Sequence, residues 1–152
     1  ELNMKRFIEE SQSSSIIEAL HRQNQANCHL RKLCSEVSGK FRLKSCSGSY
    51  LRVRSENAMD EALSKQWHVQ NRKRKIVLKT ASSHGGHLRA ASDGKIELKK
   101  REKECDAWTP RRNGDGSWSF LNYHGMWLSV QSEKIRCTEI CEKTEHFWLE
   151  PW

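Results

Sequence analysis

Three short stretches of this chain, GSYLRV at 48–53, GGHLRA at 85–90 and GMWLSV at 125–130, are versions of one phrase, with their last turn glycines 37 and 40 residues apart if Gly48, Gly85 and Gly125 are taken as markers. Each is preceded by an apolar alternation (Phe41/Leu43, Ile76/Leu78, Trp118/Phe120) and followed, some twenty residues on, by a tryptophan segment. A unit this short cannot bury its apolar face alone, so three copies must share a core. That requirement restricts the fold more than any other feature of the sequence.

Within each unit the period-two alternation reads as strands with one buried face. The glycine-bearing turns read as hairpins. A third strand is clearest in DGKIEL at 93–98 and SEKIRC at 132–137, and the tryptophan segment supplies a fourth. A repeat of about 40 residues also suits a propeller blade, but three blades are fewer than the roughly four to eight that close a propeller. Four strands in each of three units predict an all-β fold, the β-trefoil, with twelve strands about a pseudo-threefold axis. Trp67, Trp108 and Trp148, with Leu51, Leu88 and Leu128, are expected to meet near that axis. The domain is expected over 40–152, in units of about 40–74, 75–115 and 116–152.

KIVLKTASSHGGHLRAASDGKIELKKREKECDAW at 75–108 resembles the fascin-type trefoil repeat, and DGSWSFLNYHGMWLSV at 115–130 with its closing tryptophan has the same look. The resemblance covers about 40–152 and implies a cytoskeletal role with F-actin as partner. GGHLRAASDGKIELKKREKE is also similar to a passage of the fibroblast growth factors, which implies binding to sulfated polysaccharide. The Q-x-W repeat of ricin-type lectins is missing: its places hold KQW, DAW and FWL.

Residues 1–39 have a different texture. Gly39 is the first glycine, no proline precedes it, and Ile16, Leu20, Gln23, Asn27, Leu30, Cys34 and Val37 recur at alternating steps of four and three. That spacing predicts a helix over about 15–37, capped by Ser14 or Ser15, with a looser turn at 4–10. Its seam is apolar at the ends and polar at Gln23 and Asn27, which leaves docking on the trefoil and self-association both open, docking being the expectation.

Charge separates the partners this protein could take. The net +8 is concentrated in residues 40–112, which hold 19 Lys or Arg against 8 Asp or Glu; 1–39 are neutral and 113–152 are mildly acidic. A basic block favours an anionic partner, whether a filament or other acidic protein surface, a nucleic acid such as RNA, a sulfated polysaccharide or an anionic membrane; among these the fascin-type resemblance implies F-actin. The candidate contact residues are Arg72, Lys73, Arg74 and Lys75, then Lys99, Lys100, Arg101 and Lys103, then Arg111 and Arg112. A protein-interaction adaptor in which the charge is incidental is a further reading.

The sequence has no nucleophile elbow, phosphate loop or H-E-x-x-H helix, so an enzyme is not expected, nor a cofactor or metal. No run is long and apolar enough for a membrane span of roughly 18 residues. Six cysteines lack the spacing of a paired framework and read as free thiols, which points to a reducing, cytoplasmic setting.

Overall fold

The computed structural model describes residues 2–53, 65–82, 85–132 and 134–152, with side chains from residue 13 onward. Among these residues one α-helix, α1 (Leu2–Val37), leads into ten strands: β1 (Gly39–Ser45), β2 (Trp67–Asn71), β3 (Ile76–Thr80), β4 (His87–Ala90), β5 (Ile96–Lys99), β6 (Thr109–Arg112), β7 (Trp118–Leu121), β8 (Trp127–Gln131), β9 (Lys134–Thr138) and β10 (Phe147–Pro151).

Six of these strands close a barrel. β1 pairs with β2, β2 with β3, β6 with β7, β7 with β10 and β10 with β1, all antiparallel. The gap between β3 and β6 is bridged by reciprocal backbone hydrogen bonds between Ile76 and Trp108, at 2.9 and 2.8 Å. The remaining strands form two hairpins, β4–β5 and β8–β9, one for each of the last two units. Their ends meet where the Cys137 N–H donates to the Gly94 carbonyl at 3.1 Å. In unit one the second strand is reduced to a bridge between Lys44 and Tyr50, and the place of its third falls among 54–64, outside the described residues. The fold is a β-trefoil, with two of the twelve expected strands not formed as named strands among the described residues.

The pseudo-threefold axis is visible in specific bonds. Trp67 and Trp108 are fully buried, and their indole N–H groups donate to the carbonyls of Leu51 and Leu88 at 3.0 and 3.1 Å. Leu51, Leu88 and Leu128 are all inaccessible to solvent. The third aromatic place belongs to Phe147, not Trp148. Phe147 is fully buried and Trp148, one residue on, faces outward from β10 and is half-buried. The single 3-10 turns at Glu104–Asp106 and Lys143–Glu145 set the phase: each ends two residues before the buried ring, so Asp106-Ala107-Trp108 matches Glu145-His146-Phe147.

The same alignment equates two buried acids. Asp106 accepts a two-toothed contact from Arg89 and a backbone bond from Lys103 at 2.8 Å. Glu145 accepts from Ser129 at 2.8 Å and from the Glu142 N–H at 3.2 Å. Glycine serves the turns in two ways. Gly48 and Gly125 adopt positive φ of 89° and 82°, which a side chain resists. Gly85 needs no such φ, but a Cβ there would lie 1.7 Å from the Thr80 hydroxyl oxygen.

The helix is longer than its pattern suggests, running unbroken through the serine stretch at 11–15, so neither Ser14 nor Ser15 caps it. Nothing in that stretch breaks a helix strongly enough to stop propagation. At the other end, Ser38 Oγ donates to the Cys34 carbonyl at 2.6 Å and Gly39 turns the chain at φ 144°. Cys34 and Val37 join the barrel core, with Leu30 and Leu33 packed against it, whereas Ile16, Ile17 and Leu20 are 55–65% exposed. The seam therefore divides: its last two turns dock and its earlier apolar residues do not. Removing residues 1–38 is expected to uncover the core at Val37 and give a dye-binding, poorly soluble domain, whereas removing 1–24 leaves the thermal midpoint unchanged. Dye binding and thermal melts of the two truncations check this.

Candidate binding surface

The turn between β2 and β3 carries Arg72, Lys73, Arg74 and Lys75, and the end of β5 with the loop after it carries Lys99, Lys100, Arg101 and Lys103. Arg72 and Glu102, thirty residues apart in sequence, join the two segments in space. Arg72 grips the Glu102 carboxylate with both arms, Nε to Oε2 at 3.0 Å and Nη2 to Oε1 at 2.7 Å. Two further donors go to the Gln70 side chain at 2.8 Å and the Asn71 carbonyl at 3.1 Å. The hydrogen bonds from Arg72 hold the Glu102 carboxyl below the usual carboxylate range, against the opposing effect of burial.

The loop is fixed at three further points. His87 Nε2 lies 3.4 Å from Glu102, Arg89 Nη2 donates to the Arg101 carbonyl at 3.3 Å, and Asp106 holds the Lys103 N–H. These anchors use backbone atoms and Glu102. The charged ends of Lys100, Arg101 and Lys103 are left exposed, and across the clamp so is Lys73, which sits at φ 70° with its backbone N–H bonded to Asn71 Oδ1 at 2.9 Å. None of these four makes an ion pair with a described residue. Like charges on a held scaffold cannot relax apart, which sustains a positive field over this face.

The other sequence candidates have different employment. Arg72 is the clamp itself. Lys99 pairs with Glu97 at 3.5 Å, Lys75 lies over the Tyr123 ring at 5.4 Å, and Arg74 points to Asn27 of the helix at 3.5 Å. Arg111 and Arg112 belong to a separate place, in β6 against α1: Arg111 stacks on Trp127 at 4.4 Å and Arg112 faces Glu36 at 3.6 Å. The residue that sequence reading passed over is Glu102, whose only signal was a lone acid in the middle of KKREK.

A second surface feature lies on the outer side of β1 and β10. Lys44, Ser45, Cys46, Ser47, Gly48, Trp148 and Glu150 line an open cleft of about 600 Å³. Trp148 sits across from Lys44 in the ladder, and Glu150 accepts from the Tyr50 hydroxyl at 2.7 Å. All six cysteines are unpaired thiols, and burial pushes the Cys137 thiol up to about 11. Among the described residues, no group of three or more His, Cys, Asp or Glu side chains is placed to hold a metal ion, and no helix is long and apolar enough to cross a membrane.

Fold and surface together define a β-trefoil that carries an exposed basic face. No protein-family model matches the sequence, and no curated protein matches it. Solved structures do. The complex of SeviL with asialo-GM1 saccharide superposes with a TM-score of 0.62 at 12% identity, over 76% of this chain and 98% of that one. ThreeFoil, a designed threefold-symmetric protein, gives 0.60 at 17%, over 72% and 96%. The GlcNAcα1-4Gal-releasing endo-β-galactosidase of Clostridium perfringens gives 0.63 at 18%, over 74% of this chain but 32% of the enzyme. At such identities the likeness is one of fold.

Proposed function

We propose that this protein is a non-enzymatic, cytoplasmic binding module that holds a polyanionic partner against the face formed by Lys73, Lys100, Arg101 and Lys103. The observation that carries the reading is the Arg72–Glu102 clamp, which brings two basic segments together and spends only one of their cations doing so. The leading partner is an acidic protein filament, F-actin, as the resemblance to the fascin-type repeat implies. Six unpaired thiols favour a reducing compartment, and so an intracellular polyanion over an extracellular sulfated chain.

Co-sedimentation with F-actin tests this. The protein is expected to pellet in a salt-sensitive manner, and Lys100→Ser, Arg101→Ser and Lys103→Ser combined are expected to weaken binding at least about tenfold and flatten the salt dependence. RNA and heparin run in parallel decide the partner. If one of them binds and actin does not, with the same loss in the triple variant, the face is right and the filament wrong. If the triple variant binds every polyanion as the parent does, the reading fails.

The Trp148 cleft favours a second reading, saccharide recognition. An accessible indole with a carboxylate, an ammonium and serine hydroxyls beside it suits stacking on a sugar ring and bonding to its hydroxyls. The likeness to SeviL, a protein solved with a saccharide, supports it. Quenching of tryptophan fluorescence by a neutral oligosaccharide, lost in Trp148→Ala and kept in the triple variant, would establish it.

A further inference from the structure

Where α1 crosses the end of β6, helix and turn leave a cleft of about 440 Å³ between them. One wall is a single helix face, His29, Lys32 and Glu36 around Leu33, and the other is Arg111, Arg112, Asn113 and Gly114. Four residues able to carry positive charge thus line one small space, Arg112 turned toward the helix and Arg111, its neighbour on the strand, toward Trp127, with Glu36 the carboxylate among the lining residues. The two walls come from elements more than seventy residues apart, and the docking of Leu33, Cys34 and Val37 fixes their spacing.

We propose that this cleft binds a small, multiply phosphorylated molecule. Arg111 is already oriented: its Nε donates to Asn113 Oδ1 at 3.1 Å, its Nη2 lies 2.9 Å from Cys141 Sγ, and its plane rests on Trp127. Ordering a long side chain costs conformational entropy, and here that cost is met before any ligand arrives. Arg112 is held at 3.6 Å by Glu36 with both side chains partly exposed, an arrangement loose enough for a stronger anion to displace the carboxylate. Guanidinium groups on one wall and an ammonium and imidazole on the other suit phosphate oxygens spread over several ångströms, which planar guanidinium forks recognise in pairs. The volume admits a ligand of about that size. This site does not rest on the proposed polyanion face, which lies on other loops.

Inorganic tripolyphosphate is the probe, titrated calorimetrically into the full chain at near-physiological salt. Lys32→Gln with Arg112→Gln is expected to weaken it by about tenfold or more, each lost charge-assisted bond being a substantial part of such an affinity. Glu36→Gln is expected to strengthen it, by about threefold or more, because the competing carboxylate is gone. Lys100→Ser with Lys103→Ser leaves it unchanged. All these side chains are at the surface, so thermal midpoints stay near the parent's. Absence of binding at millimolar probe, equal weakening in the Lys100/Lys103 variant, or no gain with Glu36→Gln would each overturn the proposal.

Discussion

Trp108→Ala is expected to cost about 3–5 kcal/mol of folding stability, a large share of what a domain of this size possesses. The indole fills the shared end of the core, and its loss leaves a cavity bounded by the barrel and also orphans the Leu88 carbonyl that its N–H satisfies. Trp67→Ala is expected to behave alike, through Leu51. Trp148→Ala is expected to cost only about 1 kcal/mol, as befits a partly exposed side chain that lies outside the core cluster. Urea denaturation of the three variants distinguishes these outcomes, and equal losses at Trp108 and Trp148 would contradict the assignment of Phe147 to the third core position.

Asp106→Asn is expected to cost about 3 kcal/mol at neutral pH, since it strips the charge from a fully buried carboxylate and leaves Arg89, itself mostly buried, without its partner. Burial opposes the Asp106 charge, but the Arg89 fork, the Lys103 N–H and the charges of Arg89 and His87 outweigh it and hold the carboxyl below its ordinary range. A depressed folded value contributes stability above the unfolded carboxyl's pKa of about 3.9 and loses it as pH falls through the folded value. The parent and the variant are therefore expected to converge in stability in acid. Denaturation at pH 7 and again well below pH 3 checks the sign: a difference that persists undiminished in acid would show that shape, not charge, is what Asp106 supplies.

How far these features could be read beforehand depended on whether they repeat. The threefold phrase announced the trefoil because each copy must bury the same face, and the Leu51, Leu88 and Leu128 positions followed from that. The third aromatic was misplaced by one residue because tryptophan was taken as the marker. The phase is set instead by the 3-10 turn before it, and the acid two residues ahead of the ring in DAW and EHF carried that signal. A shift of one residue on a strand moves a side chain to the other face, which is why Trp148 stands in a surface cleft.

The helix was legible as a helix, but its division into a docked and an undocked part was not. Leu20 and Leu30 look alike in the heptad pattern, and only the reach of the barrel beneath them separates a 55% exposed side chain from one packed on the core. The binding face was legible as charge and illegible as geometry. Glu102 reads as an interruption in KKREK, and only when β3, β4 and β5 come together does it become the group that draws two basic segments side by side.

That juxtaposition is the centre of the functional account, and hydrogen exchange measured with and without F-actin tests it most directly. The amides of 72–75 and 99–103 are expected to slow together when the filament binds, while those lining the Trp148 cleft exchange as before, and Glu102→Ala is expected to reduce the effect at both segments at once. Protection centred on 45–48 and 148–150, or at one basic segment without the other, would contradict the account.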